Sequence, residues 1–156
     1  PLSIVMDSDK SIVANFVKKT YSLTIEVEGS GHVEERLMGT KSDYDSGSVV
    51  GLTAVPDEYW KFDHWEGDIT GSDNPNMIDV SGAKNVKAVF VKPQYTFNVK
   101  IVGPGVVDEY LAETKSGLDA GAQVLLKAVP SEGAVFKGWS GDIEASDNEM
   151  YVNMDS

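Results

Sequence analysis

Tyr21 and Tyr95 stand 74 residues apart, and at that spacing the chain can be laid on itself without a gap. Gly29 and Gly31 meet Gly103 and Gly105, "TKS" at 40–42 meets "TKS" at 114–116, and Gly47 meets Gly121. "AVP" at 54–56 meets "AVP" at 128–130, and "FDHWEGDITGSDNP" at 62–75 meets "FKGWSGDIEASDNE" at 136–149. The beginning and end join in: Phe16 meets Phe90, and "MDS" at 6–8 returns at 154–156. Repetition of this length, held in register, means tandem structural units. It also supplies an internal filter, because positions kept in both copies are candidates for what the fold needs, and unmatched positions are free to vary or to act.

The kept positions alternate. Val50, Leu52 and Ala54 match Val124, Leu126 and Ala128, while Gly51 becomes Leu125 and Thr53 becomes Lys127. Leu23, Ile25 and Val27 alternate with polar residues, as do Phe97, Val99 and Ile101, and Ile12, Ala14 and Phe16 answer Val86, Ala88 and Phe90. Side chains on a strand point to opposite faces in turn, so this pattern predicts antiparallel strands with one buried face. The expectation is an all-β chain of two tandem small antiparallel β-sheet domains with little or no helix. Each has about six short strands, near 21–28, 31–37, 48–55, 59–66, 76–80 and 84–91 in the first copy. "EGSG" and "VGPG" are tight connections where glycine supplies positive φ, and "VSGAKN" and "MDSDKS" are hairpin turns. The stretch 34–46 fits a loop, an irregular strand or one helical turn. Phe62 and Trp65, three apart, imply a bulge.

The repeat frame places unit 1 at 21–94, unit 2 at 95–156, and 1–20 as the closing hairpin of a preceding or permuted repeat. Frames of 1–74 and 75–156 suit the sequence equally. In the first frame unit 2 stops short of its last strand, and residues 1–16 or a neighbouring chain are expected to cover the edge beside 150–154. The chain opens at Pro1 without Met or signal peptide, as an excised piece of something longer would.

Bulk properties exclude several roles. With 25 acidic and 13 basic residues the formal net charge is −12, which disfavours nucleic acid and anionic lipid as partners. No apolar run approaches the ~20 residues of a membrane-spanning helix, so no membrane insertion is expected. The absence of cysteine excludes disulfides and thiolate metal sites.

The string "GSVVGLTAVPDEYWKFDHWEGD", with "YSLTIEVEGSG" before it and "AKNVKAVF" after it, resembles the divergent internalin-type B-repeat. So does "GAQVLLKAVPSEGAVFKGWSGD" after "YTFNVKIVGPG". The resemblance covers essentially the whole chain. It implies a β-grasp-like or sandwich-like fold and an extracellular or cell-surface location in a bacterial surface or secreted multidomain protein. There such repeats resemble spacer or adhesive modules, whose partners are neighbouring repeats or domains of the same chain. One departure stands out. Where the family has Gly-Tyr, unit 1 has Tyr59-Trp60 and unit 2 has Gly133-Ala134, so Tyr59 either abandons the unusual backbone or holds it with strain.

Three groups of residues are weighed for function. Trp65, Trp139, Phe62 and Phe136 occur in both copies and read as core. Tyr59, Trp60 and His64 face Gly133, Ala134 and Gly138, so the fold does not demand them. Aromatic rings stack on sugars while carboxylates bond hydroxyls, which makes Tyr59, Trp60 and His64, with Asp63 and Tyr44, a candidate polysaccharide site. The plainer reading puts Trp60 half-buried at a sheet end. Asp68, Asp73, Asn74, Asp142, Asp147 and Asn148 could offer hard oxygen ligands to calcium, but Asx turns use the same residue types and the spacing is not that of an EF-hand. No nucleophile elbow, phosphate loop or histidine-rich metal motif is present, so an enzyme is not expected and no cofactor is required. The expectation is a non-catalytic tandem-repeat spacer or adhesive scaffold. Its rival is a carbohydrate-binding accessory module of a polysaccharide-degrading enzyme.

Overall fold

A computed structural model describes residues 3–38, 44–111 and 117–155, with Tyr110 and Leu111 described by backbone alone. Both "TKS" stretches and part of the ambiguous segment 34–46 lie outside the described residues. No helix occurs among them, and the chain is all-β.

Unit 1 holds β1 (Leu23–Glu28), β2 (Gly31–Met38), β3 (Ser48–Pro56), β4 (Lys61–Gly67), β5 (Asn76–Val80) and β6 (Lys84–Val91). They form two three-stranded sheets, β1-β6-β4 and β2-β3-β5. The alternation read from sequence decides the inner face: Val50, Leu52, Ala54, Ile78, Val80, Val86, Ala88 and Phe90 are all buried, with Trp65 among them at 1% exposed. Burial of such side chains is worth about 1.5–3 kcal/mol each before entropy is counted, and here they come from both sheets.

Two expectations are corrected. The sheets are not wholly antiparallel, because β1 runs parallel to β6, with Ile25 opposite Val86 and Val27 opposite Ala88. In addition, the expected hairpin turn "VSGAKN" does not close a hairpin within one sheet; like the tight connection "EGSG", it carries the chain from one sheet to the other. Periodicity fixes which residues face inward but not which strand lies alongside, so it is silent on both points. The bulge expected between Phe62 and Trp65 is present: Phe62 pairs with Phe90 and His64 with Val89, leaving Asp63 out of register. That slip turns Phe62 and Trp65 to the same side, with ring centroids 5.0 Å apart.

Unit 2 is built alike but less fully paired. After β7 (Gln94–Tyr95) come β8 (Gly105–Leu111), β9 (Leu118–Asp119), β10 (Gln123–Pro130) and β11 (Glu149–Asn153), with sheet order β11-β10-β8. This sheet copies β2-β3-β5. The segments matching β1 and β4, near 97–102 and 135–141, are described but form no strands. In unit 1 both lean on β6, the central strand of its sheet, and no described residue takes that place in unit 2.

Unit 1 is closed by β5 and β6, one in each sheet. Residues 3–19 are exposed throughout, with Phe16 at 91%. They do not run along β11, which is an ordered outer strand paired only with β10 among the described residues. The expectation that 1–16 covers that edge is therefore corrected. β5 occupies the same outer position in unit 1, so an open edge there is part of the fold.

Candidate functional site

The duplicated stretch is a clasp around tryptophan. Trp65 donates its backbone N–H to the Gly71 carbonyl at 2.8 Å and its indole N–H to the Asp73 carbonyl at 2.9 Å. Trp139 does the same with Ala145 at 2.7 Å and Asp147 at 2.9 Å. Phe136 and Trp139 keep a centroid distance of 5.2 Å, near that of Phe62 and Trp65. Asp73 and Asp147 thus contribute backbone carbonyls to a structural loop.

Asn74 is similarly engaged. Its amide receives the Ala54 N–H at 2.8 Å and donates to the Ala54 carbonyl at 2.7 Å, substituting for a strand partner at the end of β3. In unit 2 the backbone carbonyl of Asn148 accepts the Ala128 N–H at 2.7 Å. Asp68 accepts from the Asn85 N–H at 2.7 Å and from Lys84 at 3.2 Å, and the backbone contact, then the ammonium, holds its carboxyl below the usual range. Asp142 is exposed. Among the described residues no group of three or more His, Asp or Glu side chains is gathered for a metal ion.

The aromatic candidates separate. Trp60 is partly buried against the unit 1 core, beside Gly29, with Lys92 Nζ 5.5 Å from its ring centroid. Tyr44 donates to Glu35 on β2, and that bond, with some burial, pushes its phenol up to about 12. His64 lies between Asp63, 2.6 Å from Nδ1, and Glu66, 3.2 Å from Nε2. Glu66 also meets Lys87 at 2.6 Å, and Lys87 meets Glu28 at 2.8 Å, so a chain of charges crosses β4, β6 and β1. These pairs are solvent-exposed and contribute little each to stability.

Hydrogen bonding to Asp63, then to Glu66, raises the His64 pKa above its ordinary 6.5. Protonated imidazole is favoured in the folded state. The stabilisation is therefore complete below about 6.5 and is lost as pH rises through the folded value. An NMR titration of the imidazole should give a midpoint above 6.5, and the stability difference between the wild type and His64→Gln should vanish at alkaline pH.

Tyr59 is the unusual residue. Its φ is 66°, the only positive value found among the described non-glycine residues, and Gly133 at the matching place has 79°. Tyr59 thus keeps the glycine conformation and bears a cost of about 1–2 kcal/mol for it. What it gains lies in the other unit: its ring covers Gly121, where an added Cβ would come within 2.7 Å of the ring. Gly47, the counterpart of Gly121, would meet nothing within 4 Å. The hydrogen bond that its O–H donates to Glu58, and more weakly the Asp155 charge, raise the Tyr59 phenol pKa. Of the two readings the sequence left for Tyr59, an abandoned glycine backbone or a strained one, the structure has the second. Nothing in the sequence pointed to where the ring would land.

The linker is attached too. Gln94 and Tyr95 pair with Asp119 and Leu118, and Ala120 N–H donates to the Pro93 carbonyl at 2.8 Å. The start of unit 1 is held in the same way, with Thr20 bridged to Asp45 and Ser46 N–H donating to the Lys19 carbonyl at 2.8 Å.

Two copies of one small β unit, with their shared residues committed to core and turns and a fixed entry segment in each, define a tandem β-repeat protein. The chain belongs to the divergent InlB B-repeat domain family, whose model matches residues 21–94 and 95–155. It is a family of repeat domains, generally non-catalytic, associated with bacterial surface or secreted proteins. No curated protein and no solved structure matches the chain.

Proposed function

We infer that this chain is a non-catalytic spacer within a bacterial surface or secreted multidomain protein, holding neighbouring repeats or domains apart at a set angle. The observation carrying this reading is the strained Tyr59, φ 66°, laid across Gly121 of the next unit. Backbone strain is retained where it serves something, and here it lays the ring on Gly121 at the joint. The repeated attachment at Thr20–Asp45 and Gln94–Asp119 supports a structure that propagates by the same step.

The test is the distribution of distances between spin labels placed at the exposed Met77 and Tyr151, one in each unit. Wild type should give a narrow distribution. Tyr59→Gly, which relaxes the backbone while removing the ring, should broaden it without lowering the stability of unit 1. A wild type as broad as the variant would overturn the rigid-spacer reading. The rival role in polysaccharide binding predicts that one glycan in a broad panel retains the chain and releases the Trp60→Ala variant. Because Trp60 packs on the core, retention by none is expected.

A further inference from the structure

The strands that carry the chain into and out of unit 1 lie side by side. Residues 19–21 lead into β1, and β6 runs out to Lys92. β1 and β6 are parallel in a register of six pairs, from Leu23 with Lys84 to Glu28 with Val89. A pull on the entry and the exit therefore draws two neighbouring strands past each other along their length, instead of peeling them apart from one end.

We propose that unit 1 is a load-bearing link, in which the β1–β6 ladder is a clamp that carries tension along the chain in shear. Its use rests on the spacer reading, because a spacer comes under tension whenever both of its ends are held. The geometry of the clamp does not depend on that reading.

Three features make the clamp. First, its bonds are loaded together. The Lys84 N–H donates to the Ser22 carbonyl at 2.9 Å. In a parallel ladder alternate residues of a strand bond the same neighbour, so Thr24, Glu26 and Glu28 also face β6. The next register that keeps Ile25 and Val27 on the core side is two residues away, about 6.6 Å, and no paired arrangement lies in between.

Second, β6 is held on its other flank and at its exit. β4 pairs with it from Gly67–Val86 to Lys61–Val91, and Val86, Ala88, Val89 and Phe90 are buried. The turn after β1 closes on the end of β6. A Cβ on Gly29 would fall 2.3 Å from the Phe90 carbonyl oxygen, and one on Gly31 2.7 Å from the Phe90 ring. Glu28 stands opposite Val89, so this turn lies ahead of Phe90 in the direction of pull. Third, the Glu28–Lys87 pair at 2.8 Å joins the two strands. Drawing β1 back by two residues brings Glu28 opposite Lys87, so the pair survives the start of sliding.

The chain has no cysteine, so two introduced thiols define where force is applied. Ser22 and Lys92 are exposed and load the ladder in shear, whereas Ser22 and Ala83, also exposed, sit at one end of it and peel it. Full chains carrying Ser22→Cys with Lys92→Cys, or Ser22→Cys with Ala83→Cys, are stretched in an optical trap at one loading rate. The first geometry should rupture at several-fold higher force. Glu26→Pro removes a ladder N–H at mid-strand and should lower that force. It should leave the peeling force, set by the bonds nearest the handles, unchanged, and Glu26→Ala should alter neither. Forced rupture reads the unfolding barrier, so a thermal melt of each variant separates it from equilibrium stability. Equal forces in the two geometries overturn the proposal. So does a Glu26→Pro chain that melts as a folded protein and ruptures in shear like the wild type. Both handles lie in unit 1, so the joint at Tyr59 does not enter. Narrow spin-label distances with equal rupture forces would keep the rigid spacer and remove the clamp, and broad distances with unequal forces would do the reverse.

Discussion

Trp65→Ala should destabilise unit 1 by about 3–5 kcal/mol, enough to unfold a unit of this size. Trp65 is 1% exposed, both sheets contribute to its surroundings, and its indole satisfies the Asp73 carbonyl. The variant leaves a large cavity and one carbonyl without its donor. Trp139→Ala should cost less, below about 3 kcal/mol, because Trp139 is only partly buried. Urea unfolding followed by the fluorescence of the remaining tryptophans would measure both. Equal losses in the two units would mean that β6 contributes little to the burial of Trp65.

Gly29→Ala should be comparably severe, and Gly103→Ala mild. Gly29 has φ 87° and Gly103 has φ 96°, so each alanine incurs about 1–2 kcal/mol of left-handed strain. At Gly29 the added Cβ would also fall 2.3 Å from the Phe90 carbonyl oxygen and 2.8 Å from the Trp60 ring. Overpacking against backbone adds about 1–3 kcal/mol, so the total should exceed ~3 kcal/mol. At Gly103 nothing lies within 4 Å. Gly67 and Gly141 form a second such pair, with the Asn85 carbonyl oxygen 2.4 Å from a Cβ on Gly67 and nothing near Gly141. Thermal melts of the four alanine variants should rank Gly29 and Gly67 together, well below the other two.

The strands of unit 1 were legible because each has one wet and one dry face. The expected 48–55 and 84–91 correspond to Ser48–Pro56 and Lys84–Val91, and the bulge followed from Phe62 and Trp65 both needing the core. Partnership was not legible. Nothing in the alternation of Leu23, Ile25 and Val27 says that their neighbour is β6, running parallel, rather than β2, which follows next in the chain. Unit 2 carries the same alternation at Phe97, Val99 and Ile101 but makes no strand there, because a strand requires a hydrogen-bonding partner as well as a pattern.

Legibility of the candidate sites followed the same division. Residue type suggested ligands at Asp68 and Asn74, but an amide or carboxylate that serves the backbone looks the same in sequence as one that faces a cation. The structure engages Asp68 with Asn85 and Asn74 with Ala54. The unmatched aromatics were the better signal. Comparing Tyr59 with Gly133 left an abandoned glycine backbone or a strained one, and the φ of 66° decides for strain, although the benefit sits in the neighbouring unit, where a single repeat's pattern gives no information.

The Tyr59 contact also gives the repeats a syntax. Its ring belongs to the upstream unit and its seat, Gly121, to the downstream one, while Gly47 offers the same bare seat on unit 1. A gene that recombined its repeats so that unit 1 followed unit 1 would reproduce the joint, whereas a repeat placed after unit 2 would meet Gly133 and find no ring. On the spacer reading proposed above, stiffness along such an array would be a property of word order, altered by shuffling modules without changing any module's own fold.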